Sequence, residues 1–212
     1  MARAPDTTAL AVKRSGAWVK WSYAEYERDI VAVAKAFIKL GLRPQHSVAI
    51  LGELQNYNNV VEYLFHCPPG HNAPEWHISN IAAVVAGGLA CGVYTTSSAA
   101  AVEYKLQHGR ADILVLEDAE QLDKVTMGIY YYLFFILRIL IQVSEARRRQ
   151  LRAVVQYSGE AAAGSGVMTW AQLLELGSEQ PGAALQGRLE QQAVNMACML
   201  VYTSGTTGQA VN

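Results

Sequence analysis

A short stretch of small hydroxyl residues and glycines carries the clearest chemistry in this sequence. Residues 203–208 read Thr-Ser-Gly-Thr-Thr-Gly and follow the apolar run of residues 196–202. An apolar run that ends at hydroxyls and glycines is typical of a buried strand that leads into a loop. Gly205 and Gly208 can adopt backbone angles that other residues avoid, so main-chain N–H groups can approach a ligand closely. The stretch therefore offers many neutral donors, which suit the oxygens of a phosphate or polyphosphate.

Two common nucleotide-binding patterns do not occur in the sequence. It contains neither G-x-x-x-x-G-K-[ST] nor G-x-G-x-x-G, so a P-loop and a dinucleotide fingerprint are excluded. From composition alone, a surface turn rich in Ser, Thr and Gly stays open as the alternative to a ligand-binding loop. The candidate phosphate contacts are Thr203, Ser204, Gly205, Thr206, Thr207 and Gly208.

Composition bounds the class of protein but says little about its partner. The chain has 212 residues, enough for one domain or two small ones with a real core. Its 17 basic and 18 acidic residues give a formal charge of −1, which favours no nucleic-acid partner and no basic membrane surface. Cys67, Cys91 and Cys198 are scattered in apolar surroundings, which indicates reduced thiols. The N-terminus lacks the apolar core of a signal peptide, so a cytoplasmic protein is expected.

Caps and periodicity predict the elements that must position this loop. Ser22 and Glu25 form a capping box, and apolar residues at helical spacing follow as far as Gly41. Thr169 and Gln172 form a second capping box, for a short helix that ends at Leu176. Residues 177–187 are expected to form a loop. Strands are predicted at 47–51, 90–96, 112–116 and 153–157, and helices from 73 to about 86 and over 99–108.

The helix predicted from residue 73 to about 86 has a clear start and a predicted inner face. Pro74 suits its first turn, and Glu75 complements the helix dipole. Trp76, Ile81, Val84 and Val85 are predicted to face inward. Strands and helices alternate with short links along the chain, so the sequence predicts an α/β fold with βαβ units and a mainly parallel sheet.

Residues 202–208, Tyr-Thr-Ser-Gly-Thr-Thr-Gly, resemble the signature loop of the adenylate-forming superfamily. In that superfamily the loop follows a strand and holds the phosphates of ATP while a carboxylate attacks the α-phosphate. Residues 18–26 and 84–96 resemble its first and second core motifs. The sequence most resembles the bubblegum-type long-chain acyl-CoA synthetases, through residues 48–52, 72–79, 92–96, 155–157, 169–170 and 202–208.

The resemblance implies a fold, a reaction and its partners. The fold would be a parallel βαβ subdomain of the adenylate-forming enzymes, here incomplete. The activity would be that of a long-chain fatty-acid–CoA ligase, with ATP, Mg²⁺ and CoA, and residues 203–208 would contact the phosphates. Long-chain fatty acid, ATP and CoA would be the partners, in the cytoplasm and in association with the endoplasmic reticulum or other membranes. No catalytic acid, base or nucleophile is assigned.

The sequence departs from the family pattern after the loop. The family continues with Pro, Lys and Gly after the residue that matches Gln209, whereas Ala210, Val211 and Asn212 stand here. The chain is therefore expected to be an N-terminal fragment of such an enzyme. The alternative is a catalytically inactive truncated variant that associates with a membrane or a partner protein.

Two further stretches have no counterpart in the family pattern. Residues 53–70 separate a strand from its crossover helix, and residues 126–143 are nearly all apolar or aromatic apart from Arg138. The second stretch is shorter than the roughly 20 apolar residues that span a bilayer. Three interpretations stay open for it, namely a membrane-dipping anchor with a basic flank, a buried core helix, and sequence foreign to the fold.

Overall fold

A six-stranded parallel sheet organises the chain. The computed structural model describes residues 4–52, 73–95, 97–119, 122, 151–161 and 165–203. In chain order these ranges contain β1 (Thr8–Arg14), β2 (Ala17–Ser22), α1 (Tyr23–Lys39), β3 (Ser47–Leu51), α2 (Pro74–Val85), β4 (Leu89–Val93), α3 (Ala99–His108), β5 (Ala111–Leu116), β6 (Ala153–Gln156), β7 (Met168–Thr169), α4 (Trp170–Ser178), α5 (Ala183–Glu190) and β8 (Met199–Leu200). The strand order is β7-β6-β5-β3-β4-β8, and the pairings are parallel. The predicted α/β class is confirmed.

Successive residues of each central strand point to opposite faces of the sheet, and each face has its own apolar core. On one face Val48 and Ile50 pack with α1, α2, α4 and α5, with Phe37 and Ile78 at the centre. On the other face Ala49 and Leu51 pack with α3, through residues that include Val102. Burial on both faces explains why the strands read as continuous apolar runs rather than as alternating patterns.

The predicted helix starts are confirmed. Ser22 accepts a hydrogen bond from the Glu25 N–H, and the Glu25 carboxylate accepts one from the Ser22 N–H. Thr169 and Gln172 make the same reciprocal pair at the start of α4. These bonds satisfy N–H groups that the first helical turn leaves without partners.

Three predictions about the described residues are wrong. Residues 177–187 do not form one loop, since α4 continues to Ser178 and α5 begins at Ala183. Ile81 does not face the core and is 42% exposed. The run before the candidate phosphate loop is not a buried strand: β8 has two residues at the sheet edge, and Val201 is 71% exposed.

Two predicted insertions, at 53–70 and 126–143, lie outside the described residues. The structure therefore decides neither their course nor the three interpretations of the second stretch. Within the described ranges, none of the helices is long and apolar enough to cross a membrane.

An N-terminal hairpin, which the sequence analysis did not predict, packs against α2. β1 and β2 pair antiparallel around a turn in which Ser15 and Gly16 both have positive φ, 49° and 83°. Gly is common at the second position of such a turn because it has no Cβ. Arg14 at the end of β1 donates two hydrogen bonds to the buried Glu75 carboxylate, at 2.6 and 2.8 Å. One charge pair therefore ties the hairpin to the start of α2.

Removing the positive charge of this pair should loosen the hairpin. In Arg14→Met the Glu75 carboxylate, whose side chain is 4% exposed, loses both of these donors. We expect the free energy of unfolding in urea to fall by about 2 kcal/mol. Lys13→Met, at the neighbouring exposed residue, is the matched control. Equal effects of the two substitutions would contradict a specific role for the pair.

At the amino edge of the sheet, one buried carboxylate contacts the segments that lead into β3 and β6. Asp112 at the start of β5 is fully buried. It accepts hydrogen bonds from the Arg43 main-chain N–H at 2.9 Å and from Arg43 Nη2 at 2.6 Å. His46 Nδ1 and Arg152 Nε lie 3.5 and 3.8 Å from its Oδ1. The residues that precede β3 and β6 thus converge on one side chain.

Candidate functional site

The carboxyl ends of the parallel strands share one edge of the sheet, and Thr203, the first residue of the candidate site, follows the strand β8 at this edge. The chain passes from β3 to β4 on one side and then returns to β5 on the other side of β3. Where a parallel sheet reverses its winding in this way, the loops after neighbouring strands separate and leave a crevice, in which open α/β sheets bind ligands. Gly52, Tyr94, Glu117, Tyr157 and Val201 directly follow β3, β4, β5, β6 and β8 at this edge.

The candidate phosphate loop begins at the same edge. β8 pairs with β4 through Ala90 and Met199 and through Cys91 and Leu200. Thr203 comes three residues after Leu200 and is exposed. The other five candidates, Ser204, Gly205, Thr206, Thr207 and Gly208, lie outside the described residues. Their phosphate contacts therefore stay a prediction.

Aromatic rings surround the residue that precedes this loop. The Tyr202 hydroxyl lies 2.9 Å from His108 Nδ1. Its ring meets those of His108 and Tyr104 edge to face, at centroid distances of 5.8 and 6.4 Å. Tyr104 in turn stacks on His108 at 5.5 Å. The end of β8 is thus held against the last turns of α3.

A lysine from the same helix faces the ring of Tyr202 from one side. Lys105 is 6% exposed, and its Nζ donates a hydrogen bond to Ser97 Oγ at 2.9 Å. The Nζ atom lies 5.8 Å from the ring centroid of Tyr94 and 6.0 Å from that of Tyr202. These distances fit cation–π contacts with the residues that follow β4 and β8. The ammonium therefore faces the side chains of two residues that follow strands at this edge.

Burial keeps the neighbouring acids of this cluster neutral. It raises the pKa of the Cys91 thiol to about 11, against a smaller opposing effect of the Lys105 charge. Burial, with Cys91 and Tyr104 nearby, raises the pKa of Tyr202 to about 12. Burial also lowers the pKa of Lys105. At neutral pH Cys91 is a thiol rather than a thiolate, so it is a packing residue and not an activated nucleophile.

A second cluster lies at the ends of β3 and β6. The Tyr157 hydroxyl lies so close to Gly52 that a Cβ added to Gly52 would overlap the hydroxyl. That Cβ would also lie 3.2 Å from Trp76 Cδ1. Burial, followed by the charges of Glu117, Glu75 and Asp118, raises the pKa of Tyr157. Its phenol therefore stays protonated. The absence of a side chain at Gly52 lets two aromatic residues approach the end of β3.

The described residues do not form a metal centre. Within them, no group of three His, Cys, Asp or Glu side chains is arranged to hold a metal ion. The sequence analysis assigned no catalytic acid, base or nucleophile. What this edge does offer is hydrogen-bond donors, aromatic surface and one buried cation.

Comparison with known proteins decides the family. A family model described as AMP-binding enzyme matches residues 70–210, about two thirds of the chain. The chain belongs to the AMP-binding enzyme family. The matched residues include α2, α3 and the six-stranded sheet except for β3, and they extend through the candidate phosphate loop.

Curated members of this family are similar over nearly the whole chain. The long-chain-fatty-acid–CoA ligase ACSBG2 of Xenopus laevis is 36% identical over 205 residues, which are 96% of this chain and 23% of that protein. The long-chain-fatty-acid–CoA ligase ACSBG1 of Rattus norvegicus is 38% identical over 203 residues, which are 96% and 24% of the two chains. The chain therefore spans about a quarter of the length of these relatives.

Solved structures show the same fold. The anthranilate CoA ligase AuaEII in complex with anthranoyl-AMP superposes with a TM-score of 0.56 at 20% identity, over 90% of this chain and 28% of that one. The acetoacetyl-CoA synthetase from Streptomyces lividans gives 0.54 at 21% identity, over 80% and 23% of the two chains. The fold is thus that of part of an adenylate-forming CoA ligase.

The sequence analysis missed two features of this edge. The burial of Lys105 depends on β8 lying beside β4, and this pairing joins residues about a hundred positions apart. The contact of Tyr157 with Gly52 joins the ends of β3 and β6, which are not neighbours in the sheet. The end of each apolar strand pattern was the available signal, and it indicates the edge of the sheet without identifying these partners.

Proposed function

We propose that this chain forms part of a long-chain fatty-acid–CoA ligase. The observation that carries the proposal is its identity of 36% and 38%, over nearly all of its residues, to two proteins with that activity in their names. The position of Thr203 supports it, because the candidate loop begins at the edge where parallel α/β sheets bind ligands.

The proposed reaction has two steps. A carboxylate oxygen of the fatty acid attacks the α-phosphorus of ATP, the new P–O bond forms, and pyrophosphate leaves with the electrons of the broken bond. The CoA thiol then loses its proton to solvent, and its sulfur attacks the acyl carbon of the acyl-adenylate. The bond between that carbon and the phosphate oxygen breaks, and AMP leaves. Both steps need the reactants to be positioned and the charge on the phosphate oxygens to be stabilised more than they need covalent chemistry from the protein.

Residues 203–208 have the groups for the first of these tasks. Their hydroxyls and main-chain N–H groups are neutral donors without bulk, which can surround phosphate oxygens. Mg²⁺ enters the proposal as the counter-ion of ATP, because it binds phosphates and water and needs only one or two carboxylates. The described residues provide no dedicated group of ligands for it.

Two hydroxyl substitutions test the proposed loop. We expect Ser204→Ala combined with Thr206→Val to raise the dissociation constant for Mg-ATP by roughly tenfold or more, since each removes a donor to a charged acceptor. Isothermal titration calorimetry on the whole chain measures this change. The control combines Ser178→Ala on α4 with Thr8→Val on β1, which removes two exposed hydroxyls far from the loop in the sequence. Unchanged affinity in the loop variant would overturn the assignment.

The activity and the membrane association need separate experiments. Formation of palmitoyl-CoA from ATP, CoA and palmitate tests the ligase reaction. Cell fractionation with and without residues 126–143 tests whether that stretch brings the protein to membranes such as the endoplasmic reticulum. A protein that stays in the soluble fraction in both forms would remove the membrane part of the proposal.

A further inference from the structure

A groove that is open to solvent lies between the end of α1 and the start of α5. Its volume is about 290 Å³, and its lining is mostly apolar. Ile38 on α1 and Pro181, Ala184 and Leu185 on the other side supply the apolar surface. Leu185 is buried beneath it, whereas Pro181 and Ala184 are exposed. The groove therefore presents apolar surface that the described residues leave in contact with water.

Hydrogen bonds at its two ends hold the sides of the groove together. Lys35 Nζ donates to the main-chain carbonyl of Gln180, just before α5, at 2.8 Å. Arg188 Nη2, in the last turn of α5, donates to the main-chain carbonyl of Leu42 at 2.9 Å. The segment from Lys35 to Leu42 thus runs beside the segment from Gln180 to Arg188. Because these bonds fix the two sides, a ligand would enter a groove that already has its shape.

The charged residues of the groove are cations. Lys35 and Lys39 lie one turn apart on α1, and both line it. Within the described part of the chain, its lining includes no Asp or Glu, and Lys39 forms no ion pair. Apolar surface beside lysine side chains is complementary to an anion that is attached to an apolar chain.

The size of the groove limits the kind of apolar chain that it can hold. A helix of a partner protein is about 10 Å wide and rises 5.4 Å in each turn, so a single turn already exceeds the volume of the groove. A single unbranched hydrocarbon chain is much thinner and can lie along the groove. An aliphatic carboxylate combines such a chain with one negative charge.

We infer that this groove binds a free fatty acid, with its hydrocarbon chain against Ile38, Ala184 and Leu185 and its carboxylate beside Lys39. Apolar contact and the charge of Lys39 hold the ligand, and no covalent bond is made or broken. This site is additional to the proposed function. It does not depend on the proposed ligase reaction, because binding here needs neither ATP nor CoA.

Binding of decanoate to the whole chain, without ATP or CoA, tests the groove. We expect Ala184→Glu to raise the dissociation constant by roughly tenfold or more, because it places a carboxylate and extra volume in the groove. Ala183→Glu is the matched control, since it makes the same change at the neighbouring exposed residue of α5, which does not line the groove. Isothermal titration calorimetry measures the affinities, and circular dichroism checks that both variants are folded.

A second pair of variants tests the charge. Lys39→Met should raise the dissociation constant for decanoate by roughly two- to fivefold, the effect of one exposed ion pair. Lys20→Met, which removes the same charge from an exposed position on β2, should leave it unchanged. Decan-1-ol, with the same chain and no charge, should bind the unsubstituted protein more weakly than decanoate, and Lys39→Met should not weaken its binding.

Four results would overturn the inference. They are no binding of decanoate, equal affinity in Ala184→Glu and the unsubstituted chain, equal affinity in Lys39→Met, and a dimer in sedimentation velocity that Ala184→Glu dissociates. The last result would show that a second copy of the chain occupies the groove. Formation of palmitoyl-CoA is measured separately, so failure of this inference leaves the proposed ligase activity to its own assay.

Discussion

Gly177→Ala is expected to lower the free energy of unfolding by about 1–3 kcal/mol, although alanine is the better helix former. Gly177 lies in α4 where this helix crosses α1, and a Cβ there would overlap the Ala32 carbonyl group. The obstacle is main chain rather than the flexible end of a side chain, so the two helices would have to separate. Since they share the core around Phe37 and Leu173, the separation would also open packed apolar surface.

A second helical glycine provides the matched control. Gly187 in α5 has nothing within 4 Å of the position that a Cβ would take. Gly187→Ala should therefore raise the free energy of unfolding by about 0.5–1 kcal/mol, because it restricts the unfolded chain without a clash. Urea unfolding followed by circular dichroism measures both variants. A rise in the free energy of unfolding for both substitutions would show that helix propensity, not the crossing of α1 and α4, decides the effect.

Asp112→Asn is expected to destabilise the fold by about 2–3 kcal/mol at neutral pH. The carboxylate is fully buried and accepts hydrogen bonds from Arg43, with Arg152 nearby, so an amide would leave these cations facing a neutral group. The effect is smaller than for a fully buried pair because the Arg43 side chain is half exposed to solvent. Asp6→Asn, at an exposed position before β1, should change the stability little.

The same substitution should change the response to acid. Burial alone would raise the pKa of Asp112, but the side-chain and main-chain hydrogen bonds from Arg43, with the charge of His46 close by, outweigh it and lower the pKa below the ordinary value of 3.8. A carboxyl group whose pKa is lowered in the folded state stabilises that state above the unfolded value. This stabilisation is lost as the pH falls from about 4 through the folded value.

Unfolding experiments across this range separate the two chains. The unsubstituted protein should lose stability more steeply below about pH 4 than the Asp112→Asn variant, since the variant lacks the titrating group. Parallel pH profiles for the two would show that Asp112 is not held in its charged form by Arg43.

The helix starts were predicted well where the sequence contains specific side-chain caps. The two capping boxes each use a hydroxyl and a side chain three residues later, and both form as expected. Gly177 misled the prediction, because a glycine at a helix crossing has the same appearance in the sequence as a glycine in a loop. The hairpin of β1 and β2 was missed because its main signal in the sequence is the two-residue turn Ser15-Gly16, which is weak by itself.

The sequence predicted which residues form the candidate loop, but it did not predict the contacts around that loop. Residues 203–208 were identified by residue type, and the structure describes where their first member, Thr203, lies relative to the sheet. The surroundings of Lys105 could not be predicted, because Ser97, Tyr94 and Tyr202 come together only through the pairing of β4 with β8. Such long-range pairing leaves no periodic trace in the sequence.

The short strand β8 also affects how this polypeptide behaves at high concentration. Among the described strands it pairs with β4 alone, so its outer main-chain groups can accept an extended peptide from another molecule. Met199 beside them is 47% exposed and adds apolar surface. Self-association through this rim would lower solubility during purification, and a charged residue in place of Met199 would be the natural way to prevent it.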